Sequence, residues 1–99
     1  MAGERFAAGW LVERGLAIER RNVVVDDGEI DIIARDGPTR VAVEVRTVTG
    51  PGDPIDAVDW SKRHRVSGLA SSVGASRVDF VGIGFRDWGV EVHWVPGSA

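Results

Sequence analysis

Apolar positions recur every three or four residues at the start of the chain. Phe6, Ala7, Trp10 and Leu11 fall on one side of a helix spanning Gly3 to Arg14, and Gly15 supplies its stop. The pattern then changes. Ala17 to Val25 ends in the β-branched run Val23-Val24-Val25, Asp26-Asp27-Gly28 is turn chemistry, and Glu29 to Ala34 reads as a second strand. Arg35 to Arg40 turns again around Gly37-Pro38 before a third strand, Val41 to Arg46. Thr47 to Pro54 is a Gly- and Pro-rich loop. Asp53-Pro54 is a cap followed by a first-turn proline, so a long helix is expected from there to about Ser72, stopped by Gly74. Arg77 to Phe85 and Val90 to Val95 complete the set as strands around the turn Asp87-Trp88-Gly89. The predicted order is αβββαββ, an α/β chain whose first three strands form a meander.

Composition narrows the function classes. With 99 residues, 43% hydrophobic and 27% charged, the chain fits one domain over residues 1–96, with 97–99 as a frayed tail. The absence of cysteine excludes disulfides, thiolate zinc sites and cysteine nucleophiles, and a reducing cytoplasm is the expected home. No apolar run reaches the ~18 residues of a membrane span, and the first residues lack the apolar region of a signal peptide, so no membrane partner is expected. A net charge of −3 argues mildly against strong nonspecific nucleic-acid binding, although Arg20-Arg21 and Lys62-Arg63-His64-Arg65 are local basic clusters.

The candidate chemistry lies on the second and third strands. A hairpin centred on Gly37-Pro38 sets residues whose numbers sum to 75 opposite each other, so Asp31 would face Glu44 and Glu29 would face Arg46. Period-two alternation then places Glu29, Asp31 and Ile33 on one face, together with Ala42, Glu44 and Arg46. Facing carboxylates repel unless a raised pKa, a cation or a metal relieves them, and an all-oxygen acidic pair suits Mg2+ or Mn2+. The plainer alternative is a Glu29–Arg46 ion pair with Asp31 and Glu44 at a wet sheet edge. Glu44 fits that alternative poorly, because it interrupts the most apolar strand of the chain.

The long helix adds a cation. Ile55, Val58, Lys62, Val66, Leu69 and Val73 follow at steps of three or four, which puts Lys62 in the middle of an apolar seam. Its ammonium can snorkel into water, or reach the acidic face or a phosphate bound there, with Arg65 beside it. Trp60 is a candidate aromatic anchor for a protein partner. His64 and His93 have no matched partner at metal spacing, and Asp79 reads as a structural acid at a strand end.

Gly28-Glu29-Ile30-Asp31 and Val43-Glu44-Val45-Arg46, in that order, resemble the GEIDLI and FVEVK motifs of the YraN-like family of small bacterial proteins. Gly3-Glu4, Arg21-Asn22, Ala57-Val58-Asp59, Lys62 and Arg77-Val78-Asp79 match further landmarks, so the likeness runs from Gly3 to about Val92. That resemblance implies a restriction-endonuclease-like core of the PD-(D/E)XK type, with a mixed central sheet flanked by helices, related to Holliday-junction resolvases. It implies Asp31 and Glu44 as metal-ligand acids, the Val45 carbonyl as a further donor, Glu4 as an outer carboxylate, and Glu29 as support for a second ion. The chain departs from the family at Arg46, where the motif has lysine. Arginine stays charged and can brace a phosphate, but it holds its proton too tightly to serve as a base. Lys62 is the candidate replacement. The chain is also short for the family around Thr47 to Asp53 and after Ser72.

Three readings follow. The first is an Mg2+-dependent nuclease acting on branched or flapped DNA, with Asp31, Glu44, Glu4, Arg46 and Lys62 as its catalytic set; a homodimer would suit cutting of paired strands. The second is a silent nucleic-acid-binding domain that holds phosphates through Arg46, Lys62 and Arg65. The third is a protein-interaction module.

Overall fold

The computed structural model describes residues 2–26, 28–52 and 63–97. Its elements are α1 (Ala2–Glu13), β1 (Ala17–Val25), β2 (Gly28–Asp36), β3 (Thr39–Val48), α2 (Arg63–Ser72), β4 (Arg77–Arg86) and β5 (Gly89–Val95), in the order expected from the sequence. The expected helix start at Asp53-Pro54, together with Trp60 and Lys62, lies outside the described residues.

The strands form one mixed sheet in the order β1-β2-β3-β4-β5. All neighbours run antiparallel except β3 and β4, which are parallel from Val41↔Arg77 to Val48↔Gly84. A parallel neighbour requires a crossover, and the segment carrying α2 provides it. The β2–β3 hairpin has the anticipated register, from Asp36↔Thr39 to Ile32↔Val43. Gly37 turns it with φ 60°, a conformation that a residue lacking Cβ adopts without strain.

The two faces of the sheet carry separate cores. On one, Ala7, Ala8 and Leu11 of α1 pack on Ile32, Ala34, Val41, Val43, Val45, Val81 and Ile83. On the other, Leu69 and Ala70 of α2 pack on Val23, Ile30, Ile33 and Ala42. Gly28 admits α2 closely, since a Cβ there would stand 2.6 Å from Leu69 Cδ1. The sheet therefore lies between helices, with Trp10 edge-on to Trp94 (5.8 Å) and Phe6 edge-on to Phe85 (6.3 Å) fixing α1 over the β4–β5 half.

Asp79 is wholly buried and fully engaged. Arg77 donates to it through Nε (2.9 Å) and Nη2 (3.0 Å), Trp94 through Nε1 (3.0 Å) and Gly97 through its backbone N–H (2.9 Å). Gly97, expected to begin a frayed tail, is thus held against β4. Arg77 also donates to Asp36 (2.9 Å), and its hydrogen bonds to Asp79 first, then to Asp36, raise its pKa above the ordinary arginine value.

Candidate metal centre

The alternation that would put Glu29, Asp31, Glu44 and Arg46 on a single face breaks in the structure. Ile30 and Ile33 belong to the α2-side core while Ile32 belongs to the α1-side core, so β2 changes parity between them. The neighbouring strand breaks at the same level. Arg21 pairs with Ile32 and Val23 with Ile30, and between them Asn22 takes φ 54°, in the left-handed region that asparagine tolerates better than most residues. The paired irregularity brings Asn22, Glu29 and Asp31 toward the N-terminus of α1.

Glu4 meets them there. It lies in the first turn of α1, where the helix dipole favours a carboxylate, and it is 5% exposed. Its position follows from the close seating of α1 on β3: a Cβ at Gly3 would collide with Thr47 Oγ1, a buried hydroxyl without a hydrogen-bond partner among the described residues. One carboxylate oxygen from each of Glu4, Glu29 and Asp31 falls within 4.8 Å of the other two. Burial first, then the charges of Asp31 and Glu29, push the Glu4 carboxyl above the ordinary glutamate value.

Two donors partly offset this charge. The Val45 N–H donates to Asp31 Oδ2 at 2.8 Å, directly beyond the last β2–β3 pair, Ile32↔Val43, so the carboxylate takes the place of a ladder partner where the strands part. The Asn22 amide, turned with its nitrogen toward the acids, donates to Glu4 Oε2 and to Glu29 Oε1 (3.2 Å). Turned the other way, it would present a carbonyl oxygen to a cation held between the same carboxylates. Asn22 entered the sequence reading only as a family landmark, and its role depends on a backbone angle that no residue pattern reveals.

The donor set fits a hard divalent cation. Oxygens around Mg2+ at about 2.1 Å stand about 3.0–4.2 Å apart, so a small contraction of the three carboxylates would close them on one ion. Asp31, Glu29 and Glu4 are the residues that could hold it.

Glu44 and Arg46 lie elsewhere on β3. Val43 and Val45 face α1, so Glu44 and Arg46 share the α2 side with Ala42, and Arg46 Nη2 stands 3.2 Å from Glu44 Oε1. The β2–β3 ladder runs only from Asp36↔Thr39 to Ile32↔Val43, so neither the anticipated Glu29–Arg46 nor the Asp31–Glu44 opposition is among its pairs. The physical reason lies at the end of that ladder, where Asp31 Oδ2 accepts the Val45 N–H in place of a strand partner. Arg65 lies in the first turn of α2, and Lys62 is outside the described residues. His93 Nε2 is 3.9 Å from Glu91 Oε2, apart from the carboxylate group.

Comparison with known proteins places the chain. Residues 3–83 match the Uncharacterised protein family UPF0102. The chain belongs to this family. It is 38% identical over 107 residues to the UPF0102 protein Lxx14785 of Leifsonia xyli subsp. xyli, an alignment covering 96% of this chain and 90% of the relative. It is 35% identical over 111 residues to a UPF0102 protein of Anaeromyxobacter dehalogenans, covering 97% and 79%. The UPF0102 protein STH1475 of Symbiobacterium thermophilum is 47% identical over 72 residues, covering 71% and 61%. The YraN-like resemblance drawn from the motifs corresponds to UPF0102 membership. All the residues of the carboxylate group fall inside the matched span. No helix among the described residues of this UPF0102 chain is long and apolar enough to cross a membrane.

Proposed function

We propose that this UPF0102 chain is a metal-dependent nuclease of the PD-(D/E)XK, restriction-endonuclease-like class, hydrolysing phosphodiester bonds in branched or flapped DNA in the cytoplasm. The observation that carries the reading is the convergence of Glu4, Glu29 and Asp31 from α1 and β2, with Asp31 locked by the Val45 N–H where the strands part. Magnesium or manganese held there would polarise the phosphoryl oxygen and lower the pKa of a bound water.

The residues of the chain then have separate tasks. Asp31 is the fixed ligand, because the Val45 N–H donates to its Oδ2 and orients the carboxylate. Glu4 closes the group from the helix, Glu29 adds the third carboxylate and can turn to support a second ion, and the Val45 carbonyl is the neutral donor of the motif. Glu44, the motif acid on β3, stands on the α2 side of the sheet with Arg46 and outside the Glu4–Glu29–Asp31 group. Arg46 stays charged at any working pH, so it can brace a phosphate but cannot accept a proton. Lys62, outside the described residues, and Arg65 of α2 are assigned to substrate phosphates. A homodimer would bring one centre to each of two strands.

A second reading, a catalytically silent nucleic-acid-binding domain, is favoured by one observation: Arg46 pairs with Glu44 at 3.2 Å and so engages the motif acid itself. The deciding experiment is cleavage of labelled duplex, flapped and four-way DNA with Mg2+ or Mn2+, comparing the wild type with Asp31→Ala and Arg46→Lys. Metal-dependent cutting lost in Asp31→Ala supports the nuclease. An inactive wild type that gains cutting in Arg46→Lys supports the silent domain.

A further inference from the structure

The edge strand β1 carries two adjacent arginines on opposite faces of the sheet. Arg20 pairs with Ile33, whose side chain belongs to the α2-side core, and it lines a cleft of about 450 Å3 with Glu19, Arg40, Ser72 and Val73. Arg21 pairs with Ile32, which belongs to the α1-side core. Directly opposed residues in an antiparallel pair project to the same side, so Arg21 stands on the face that holds the carboxylates. It is also next in sequence to Asn22, the amide that bridges Glu4 and Glu29.

A second arginine approaches from the helix. On α1 the buried line is Glu4, Ala7, Ala8 and Leu11, and the flank bearing Phe6 and Trp10 packs on Phe85 of β4 and Trp94 of β5. At 100° per residue, Arg5 falls on the other flank, toward the β1 edge. Arg5 and Arg21 therefore border the carboxylate group from two elements. Both are exposed, and neither forms an ion pair or side-chain hydrogen bond among the described residues, although each adjoins a residue of the centre. Arg20 is likewise without an ion pair among the described residues but faces the α2 side, whereas Arg35, Arg40, Arg46, Arg77 and Arg86 each engage a carboxylate.

We propose that Arg5 and Arg21 form a phosphate clamp at the β1 side of the carboxylate centre, and that the backbone of a nucleic-acid strand runs along the α1 face of the sheet between them. The proposal rests on the nuclease reading and names the track its substrate takes. Charge complementarity supports it. A chain of net charge −3 with three gathered carboxylates repels a polyanion, so the strand needs local cations that are not already committed to carboxylates, and these two are placed beside the centre. Guanidinium forks suit phosphate oxygens, and contacts of this kind set register without reading sequence.

Arg20 supplies the control, because Arg20→Gln removes the same charge from the same strand on the opposite face. Binding of a fluorescently labelled flapped duplex to the full chain is followed by anisotropy in Ca2+ over a range of salt concentrations, for wild type, Arg5→Gln, Arg21→Gln, Arg21→Lys and Arg20→Gln. The clamp is expected to make the slope of log affinity against log salt less steep by about one for Arg5→Gln and for Arg21→Gln, with affinity lost equally across unrelated sequences. Arg21→Lys keeps the wild-type slope, and Arg20→Gln changes affinity less than about twofold. Equal losses in Arg20→Gln and Arg21→Gln would overturn the clamp, since only bulk charge would then matter. Unchanged binding in both Arg5→Gln and Arg21→Gln would overturn it as well, and would move the track to the Glu44–Arg46 face. A wild type that binds no nucleic acid at any salt would defeat the nuclease reading itself, and the clamp with it.

Discussion

Two sets of acids in this protein have opposite surroundings. Asp79 is wholly buried yet accepts four hydrogen bonds, two from Arg77 and one each from Trp94 and Gly97. Glu4, Glu29 and Asp31 lie together and, among the described residues, accept hydrogen bonds from one backbone N–H and one side-chain amide. A carboxylate whose lone pairs are all met inside the fold has little left to give a ligand, and its worth is structural. A group of carboxylates that the fold leaves under-compensated costs stability and retains affinity for a cation. Compensation, more than burial, separates the structural acid from the candidate site.

The largest expected effect comes from breaking the compensated set. Asp79→Ala leaves the Arg77 guanidinium half-paired in a buried setting and should cost about 3–5 kcal/mol, read as a lower midpoint in urea unfolding. A cost under about 1 kcal/mol would show that the four hydrogen bonds merely replace those made to water. The opposite sign is expected at the centre. The pKa of Glu4 is raised in the folded chain, so its charged form opposes folding, and the penalty develops as pH rises from the ordinary glutamate value through the folded one. Glu4→Gln should therefore stabilise the metal-free protein at neutral pH by about 0.5–1 kcal/mol, in line with relief of a like-charge contact. Thermal melting at pH 7 in chelator checks this, and a destabilised variant would contradict it.

The smallest effect belongs to Glu19, whose pKa is lowered chiefly by its hydrogen bond to Arg40, with Arg35 adding to it. A depressed carboxyl pKa contributes stability above the unfolded value and loses it as pH falls through the folded one. Glu19→Gln should thus narrow the stability difference between pH 6 and pH 3 slightly, since exposed pairs are weak. A change as large as that of Asp79→Ala would mean that exposure underrates the Glu19 network.

The same contrast explains what could be read from the sequence. Element order and the β2–β3 register from Ile32 to Asp36 follow from turn chemistry and period two, because Gly37-Pro38 fixes the hairpin and the apolar pattern allows no slip. The carboxylate positions on β2 were also legible as candidates. Glu4 entered only through the family resemblance: strict alternation joins Glu29 and Asp31 to Glu44, whereas the positive φ of Asn22 and the parity change in β2 bring them to Glu4 instead. Asp79 reads as an ordinary strand-end acid because two of its four hydrogen bonds come from Trp94 and Gly97, far along the chain and brought near by the β4–β5 pairing.

The most direct test of the central claim is a calorimetric titration of Mn2+ into the wild type, Asp31→Asn and Asp79→Asn at one pH at which all three are folded. The account predicts a saturable site in the wild type, its loss in Asp31→Asn, and its retention in Asp79→Asn. Equal Mn2+ affinity in the wild type and Asp31→Asn would contradict it.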